Sequence, residues 1–290
     1  MNLFEETKTI LAKYRIKPEK ELGQSFLVDS AIFDKIIETL DPKETDSILE
    51  IGSGLGILTK RVAERVNKLF ACEIDQRFLR ILKENLPACA PGRCSHADRS
   101  NIEILAKDIL KVDIGFLNPV PNKCFGNIPY YITTPIIFHL LRRKSGLSSI
   151  LLLTQYEVAE RLLAKEGKDF GILPAFIQTF TKPTLILRVT KDSFYPKPKV
   201  DSALLKMEIL EKPAIEISDE RLFFRVIETA FSQRRKTISN SLSSFVSKKT
   251  LTLLLKEAGI DCKVRPERLK LSDFAKISQI FMDYNTGKRL

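Results

Sequence analysis

Between residues 47 and 210, short apolar runs alternate with amphipathic stretches. Ile48-Leu49-Glu50-Ile51 reads as a buried strand, and Gly52-Ser53-Gly54-Leu55-Gly56 turns it into a helix starting near Leu58. Leu69 to Cys72 is a second strand, ending in Glu73-Ile74-Asp75 and followed by a helix over Arg77 to Leu86. The third runs from Ile102 to Leu105 and ends at Lys107-Asp108. Lys123-Cys124-Phe125 starts a fourth, which enters the turn Asn127-Ile128-Pro129-Tyr130 ahead of an apolar helical segment, Ile136 to Leu141. Ser149 to Leu153 is the fifth, with a helix over Glu157 to Ala164. Strands that alternate with helices predict an α/β protein with a parallel, doubly wound sheet. No helix of adequate length separates Leu185–Val189 from Ala203–Leu210, so an antiparallel closing strand is expected.

The flanks read differently. Residues 1–21 form a helix and then a basic connector (Arg15, Lys17, Lys20). Gly23 bends the segment Glu21 to Leu27, and Asp29 caps a helix over Ala31 to Leu40 whose Ile32, Ile36 and Leu40 share a face. After Lys212-Pro213 only helical periods remain: Leu222, Val226 and Ala230 on one face, then Ile238, Leu242 and Phe245, then Thr250 to Ala258 and Asp273 to Tyr284. The predicted boundary divides a sheet domain, 1–212, from a small all-helical domain, 213–290.

Charge adds a partner. The net charge is +11; residues 213–290 carry 15 Lys/Arg against 9 Asp/Glu, and residues 1–212 carry 32 against 27. More than half the excess thus sits in about a quarter of the chain, which points to a polyanion. No apolar run reaches the length of a membrane span and the first residues lack a signal-peptide core, so a cytoplasmic protein without a membrane role is expected. Five cysteines make no disulfide framework, and Cys72 and Cys124 fall in strand-like runs as small core residues. Cys89, Cys94 and His96 share a polar loop but lack a fourth ligand and standard spacing, so no metal is expected.

Three predicted strand ends carry chemistry, and ligands of such sheets sit there. Glycines at 52, 54 and 56 let backbone lie against a ligand; Glu73, 21 residues beyond Gly52, suits a ribose diol gripped bidentately; Asp108 can accept from an adenine amine. A nicotinamide enzyme could use the first two. The G-x-G-x-G spacing, with Glu50 ahead of it, favours S-adenosylmethionine, because that acid would repel a pyrophosphate and suits a cationic methionine head. The Asn127–Tyr130 turn supplies a side-chain carbonyl, outward backbone carbonyls and a flat ring, the features that grip a planar base bearing an exocyclic amine. An ordinary X-Pro turn would carry the same residues.

In one order the chain carries G-Q-S-F-L, E-I-G-S-G-L-G, E-I-D, K-D-I-L, N-I-P-Y-Y-I-T-T-P, F-Y-P-K-P-K-V-D-S and A-F-S-Q-R-R-K-T-I-S-N-S-L. Over roughly residues 20–285 this resembles the ribosomal RNA adenine dimethyltransferases, most nearly their bacterial small-subunit branch. The resemblance implies a Rossmann-like class I methyltransferase sheet, S-adenosylmethionine as cofactor, and dimethylation of two adjacent adenosines in a hairpin near the 3′ end of small-subunit (16S) rRNA. Its partner would be the small-subunit rRNA or 30S pre-ribosomal particle; nothing in the sequence demands more than a monomer. Ser25, Leu27, Gly52, Glu73, Asp108 and Asn127 would hold the cofactor. Ser25 departs from the Asn usual in the family, Tyr131 from the Asn that often follows the Tyr, and the loop from Cys89 to Ser100 is longer than the pattern.

The mechanism so implied has the Asn127 side chain and the Pro129 carbonyl accepting both N–H bonds of the target amine, which frees its ring-delocalised lone pair. Tyr130 and Phe194 would sandwich the unstacked base. Lys197 and Lys199 would meet RNA phosphates near the pocket, and Arg234, Arg235 and Lys236, expected on the first long helix of the small domain, would do so there. Three rivals remain at this point: a large-subunit (23S) rRNA adenine methylase, a non-catalytic ribosome-assembly or transcription factor on the same scaffold, and a DNA adenine methylase.

Overall fold

The computed structural model describes residues 2–19, 23–86, 101–129, 132–142, 146–233 and 235–287. Among these the chain divides into two compact units, one of residues 1–159 and 184–209, the other of residues 160–183 and 210–290.

The first unit is built on a sheet. Helix α1 (Leu3–Lys13) is capped by Asn2, whose side chain accepts the Glu5 amide. A two-residue strand β1 (Phe26–Leu27) leads into α2 (Ser30–Leu40), where the Asp29 carboxylate accepts from the amides of Ala31 and Ile32. The alternation then runs β2 (Ser47–Ile51), α3 (Ile57–Ala63), β3 (Lys68–Glu73), α4 (Gln76–Asn85), β4 (Ile102–Ala106), β5 (Lys123–Asn127), α5 (Thr133–Arg142), β6 (Ser149–Gln155) and α6 (Tyr156–Leu163). Every residue of β2 is buried, as expected of a parallel strand covered on both faces.

Helix α7 (Ile172–Phe180), which the sequence reading did not pick out, precedes β7 (Thr181–Val189), a second two-residue strand β8 (Phe194–Tyr195) and β9 (Ser202–Ile209). Strand order is β4-β3-β2-β5-β6-β9-β7. β2 pairs in parallel with β3 and β5, and β6 with β5, while β9 runs antiparallel to β6 with Leu205 opposite Leu152. The order reverses about β2, so β2, β3 and β5 deliver their carboxyl ends to one crevice. Ile36 and Leu40 of α2 meet Ile48, Phe125, Leu151 and Leu204 in one core. At the opposite end of the sheet, Asp46 accepts from Asn122 and Lys123 at 2.7 and 2.8 Å; burial alone would raise its carboxyl, and those partners hold it below the ordinary range.

The second unit is helical: α8 (Glu220–Ser232), α9 (Ile238–Ser241), α10 (Lys248–Glu257) and α11 (Leu271–Asn285), joined by residues 160–183. Its core gathers Phe170, Phe223, Phe231, Phe274 and Phe281, with Phe245 stacked on Phe281 at 4.9 Å between ring centres. Two expectations are corrected here. Phe245 lies in the turns after α9, which ends at Ser241, so the Ile238–Phe245 period is not one helix. Arg235 and Lys236 lie beyond α8, because Gln233 leaves helical geometry (φ −132°, ψ 67°) and its carbonyl accepts the Lys236 amide. Both side chains are exposed, next to a helix carboxyl end that favours cations. Residues 160–183 contribute Phe170 and Ala175 to this core, so the compact unit begins earlier in the chain than a boundary at 212.

Candidate active site

One cavity of about 640 Å³ lies at the carboxyl ends of β2, β3 and β5. Ser25, Leu27, Gly52, Glu73, Asp108, Asn127 and Pro129 all line it, so one space gathers all but two of the residues nominated for cofactor or base. Of those two, Tyr130 lies outside the described residues, as do Tyr131, Arg234 and the loop bearing Cys89, Cys94 and His96.

Gly52 opens the turn after β2 at φ +75°, where L side chains are strained; a Cβ there would come within 3.4 Å of the Asn127 carbonyl. Backbone thus forms the floor. Glu50, which also lines the cavity, sits in mid-sheet between Ala71 and Phe125. Burial pushes its carboxyl up to about 7, against the Thr59 hydroxyl that donates to Oε2 at 2.5 Å. A folded-state value above the unfolded one, near 4.5, means that folding takes up a proton between those limits. The stabilisation is therefore present below pH 4.5 and lost as pH rises to 7, an effect of about 3 kcal/mol. Chemical denaturation of the ligand-free protein should show that decline, and Glu50→Gln should flatten it. An unchanged slope in the variant would assign the decline elsewhere.

Glu73 ends β3 and is held by backbone: Ile74 and Asp75 donate to Oε1 at 2.8 and 2.9 Å, and Gly54 donates to Oε2 at 2.9 Å. A carboxylate has about four acceptor positions, so one remains, on Oε2. Glu73 can therefore take a further hydroxyl on Oε2, while Oε1 organises the turn. Burial raises its carboxyl despite these donors. Asp108 is half-buried and spends Oδ1 on the Leu110 amide at 3.0 Å, leaving Oδ2 for a ligand.

Asn127 ends β5 and donates Nδ2 to the Ser25 carbonyl at 2.9 Å. Only an NH₂ can serve a carbonyl there, so the amide is oriented and Oδ1 is its acceptor face. The Pro129 carbonyl takes the Ile132 amide at 3.2 Å and keeps a second lone pair. Ser25 is a strut rather than a bare ligand group, because its hydroxyl donates to the Pro196 carbonyl.

Sequence reasoning missed the strap over this cavity. β1 pairs antiparallel with β8, Phe26 opposite Tyr195 and Leu27 opposite Phe194, and the Val28 amide donates to the Ser193 carbonyl at 2.8 Å. Gln24 donates to Asp75 at 2.9 Å, and Arg77 joins Asp75 to Glu19. Two-residue strands have no periodicity to read. Ile74 was also missed: it lines the cavity, stays 65% exposed, and offers an apolar wall beside Glu73 and Asp108. Its signal was an isoleucine between two acids at a strand end. Phe194 corrects another expectation. It is 4% exposed, packed with Val189 and Leu204, and does not line the cavity, because pairing with Leu27 turns it into the core.

The Cys72 thiol is pushed up to about 12, chiefly by burial, and that of Cys124 higher still, so neither is a nucleophile. Among the described residues no His/Cys/Asp/Glu group could hold a metal.

Residues 15–283 match the family model described as ribosomal RNA adenine dimethylase. The chain belongs to the ribosomal RNA adenine dimethylase family. It is 37% identical over 281 residues to a ribosomal RNA small subunit methyltransferase A of Clostridium botulinum, covering 96% of this chain and 98% of that one. A protein of the same description from Moorella thermoacetica is 39% identical over 285 residues, covering 94% and 96%. Among solved structures, a dimethyladenosine transferase from Plasmodium falciparum superposes with a TM-score of 0.73 at 27% identity, over 90% of this chain and 98% of that one. The 23S rRNA methyltransferase ErmE does so with 0.67 at 25% identity, over 89% and 99%. The sheet is therefore the α/β methyltransferase fold expected from the family resemblance, and the chain is a methyltransferase of the family. Among the described residues no helix is long and apolar enough to cross a membrane.

Proposed function

We propose that this member of the dimethylase family transfers methyl groups from S-adenosylmethionine to the exocyclic amines of two adjacent adenosines in a hairpin near the 3′ end of small-subunit rRNA. The observation that carries the reading is the oriented Asn127 amide, its acceptor face in a cavity that also holds the Glu73 and Asp108 carboxylates. The residues fit the cofactor: about 640 Å³ is of ligand size, the glycine floor has no Cβ, and the spare oxygens of Glu73 and Asp108 suit hydroxyl and amine donors. When bound, S-adenosylmethionine supplies a pre-activated methyl on its sulfonium.

The chain's own work is orientation. Asn127 Oδ1 and the Pro129 carbonyl accept the two N–H bonds of the target amine, drawing the nitrogen toward pyramidal geometry and freeing its lone pair. Tyr130 covers one face of the base. No side chain is needed as a strong base; the proton released after transfer leaves to water. Ile74 and the strap from Gln24 to Leu27 exclude water around the adenosyl end.

Lys199 and the run Arg234, Arg235 and Lys236 meet RNA phosphate; Lys197, already paired with Asp192, contributes less. Charge reversal at 234–236 is expected to weaken RNA binding steeply at low salt and leave cofactor affinity intact. An unchanged salt slope in filter binding rejects that role. Likeness to small subunit methyltransferases at 37% and 39% identity supports the small-subunit target over a large-subunit one. Labelled methyl transfer to small-subunit particles and to naked large-subunit RNA tests it: counts only in the latter sink the reading.

A further inference from the structure

A second cavity, of about 340 Å³, opens where β6 gives way to α6. Gln155, Tyr156, Glu157, Arg188, Lys191, Lys199 and Asp201 line it. Asp201 closes one side: its carbonyl accepts the Tyr156 amide at 3.0 Å, and its carboxylate accepts the Lys191 amide at 3.1 Å and the Arg188 guanidinium at 2.7 and 3.0 Å. The same guanidinium lies 4.5 Å from the centre of the Tyr156 ring. Arg188 and Asp201 thus neutralise each other and fix the wall, whereas Lys191 and Lys199 make no ion pair among the described residues. Against Glu157 alone they leave the cavity cationic.

Its place in the sheet gives the cations a use. β5 and β6 are parallel neighbours with Asn127 opposite Leu153, so Gln155 lies two residues further along the same rim. At about 4.8 Å between strands and 3.3 Å per residue, it is roughly 8 Å from Asn127. That is the reach of the next nucleotide once the target base has left its stack, and the volume suits one sugar and phosphate.

We infer that this cavity is the subsite for the phosphodiester and ribose of the nucleotide adjoining the target adenosine, with Lys191 and Lys199 on the phosphate and the Arg188–Tyr156 wall against the sugar. The inference rests on the RNA reading above and deepens it. It assigns a function to Tyr156, Arg188 and Lys191, and gives the next adenosine a resting place while the first is modified.

The test uses the full chain, a synthetic hairpin of the small-subunit 3′ end, and the variants Lys191→Ala/Lys199→Ala and Lys60→Ala/Lys83→Ala, the latter removing two exposed cations elsewhere on the same unit. Losing one single-strand phosphate contact should reduce the slope of log affinity against log salt by about 0.7 in the first variant only. KM for the hairpin should rise with melting temperature and cofactor affinity unchanged. Equal slopes in the first variant and wild type, or the same reduction in both variants, overturn the subsite. A wild-type chain that neither binds nor methylates the hairpin overturns the underlying reading, and the subsite with it.

Discussion

Replacing Asn127 with alanine is expected to lower turnover roughly a hundredfold, the scale of removing one preorganised polar group from a transition state. Affinity for the cofactor should fall only a few-fold. The split follows from geometry. The Asn127 amide is committed to the Ser25 carbonyl, which leaves Oδ1 as the working atom. Alanine removes that acceptor, and the target amine keeps its lone pair in the ring. It also frees the Ser25 carbonyl, but Ser25 remains tied to Pro196 and the strap to β8, so the cofactor end of the cavity stays closed. Single-turnover transfer and equilibrium binding, measured on one preparation, read the two effects separately. Equal and large losses in both would make Asn127 a binding residue only.

The second large effect is expected one residue earlier. A Cβ at Gly126 would lie 2.5 Å from the Ile51 carbonyl oxygen and 3.2 Å from the Ile51 Cβ. Both belong to the adjacent strand β2, and Gly126 is registered against Ile51. Backbone cannot swing aside as a flexible side chain can, so Gly126→Ala must push β5 from β2 where Gly52 and Asn127 meet. Overpacking of this kind costs about 1–3 kcal/mol, and here the upper end is expected because both neighbours are sheet. Denaturant titration should show that loss, and cofactor affinity should fall with it, in contrast to Asn127→Ala. A Gly126→Ala protein of native stability would mean that the strands have slack here.

These two positions illustrate what the chain discloses unaided. Asn127 could be singled out because its neighbours force a turn and its amide is a distinctive donor and acceptor. Gly126 could not, because its need for a bare Cα arises from Ile51, 75 residues away in sequence. The parallel strands were legible since burial on both faces leaves unbroken apolar runs, and Asp29 was legible as a cap because the signal is local. The β1–β8 pairing, two residues on each side, was not. Glu73 was found as an acid at a strand end, but its division of labour depends on three amides that meet only in the fold. Phe194 was expected from its motif to sandwich the base with Tyr130 and is instead core, since strand pairing with Leu27 decides which way it faces.

The most direct measurement is mass spectrometry of small-subunit rRNA lacking these methyl groups, incubated with the protein and S-adenosylmethionine and then digested. Two neighbouring dimethylated adenosines near the 3′ end, formed roughly a hundredfold more slowly when Asn127→Ala replaces the wild type, are the predicted result. Unmodified adenosines there, or methyl groups appearing only on large-subunit RNA, would contradict the account.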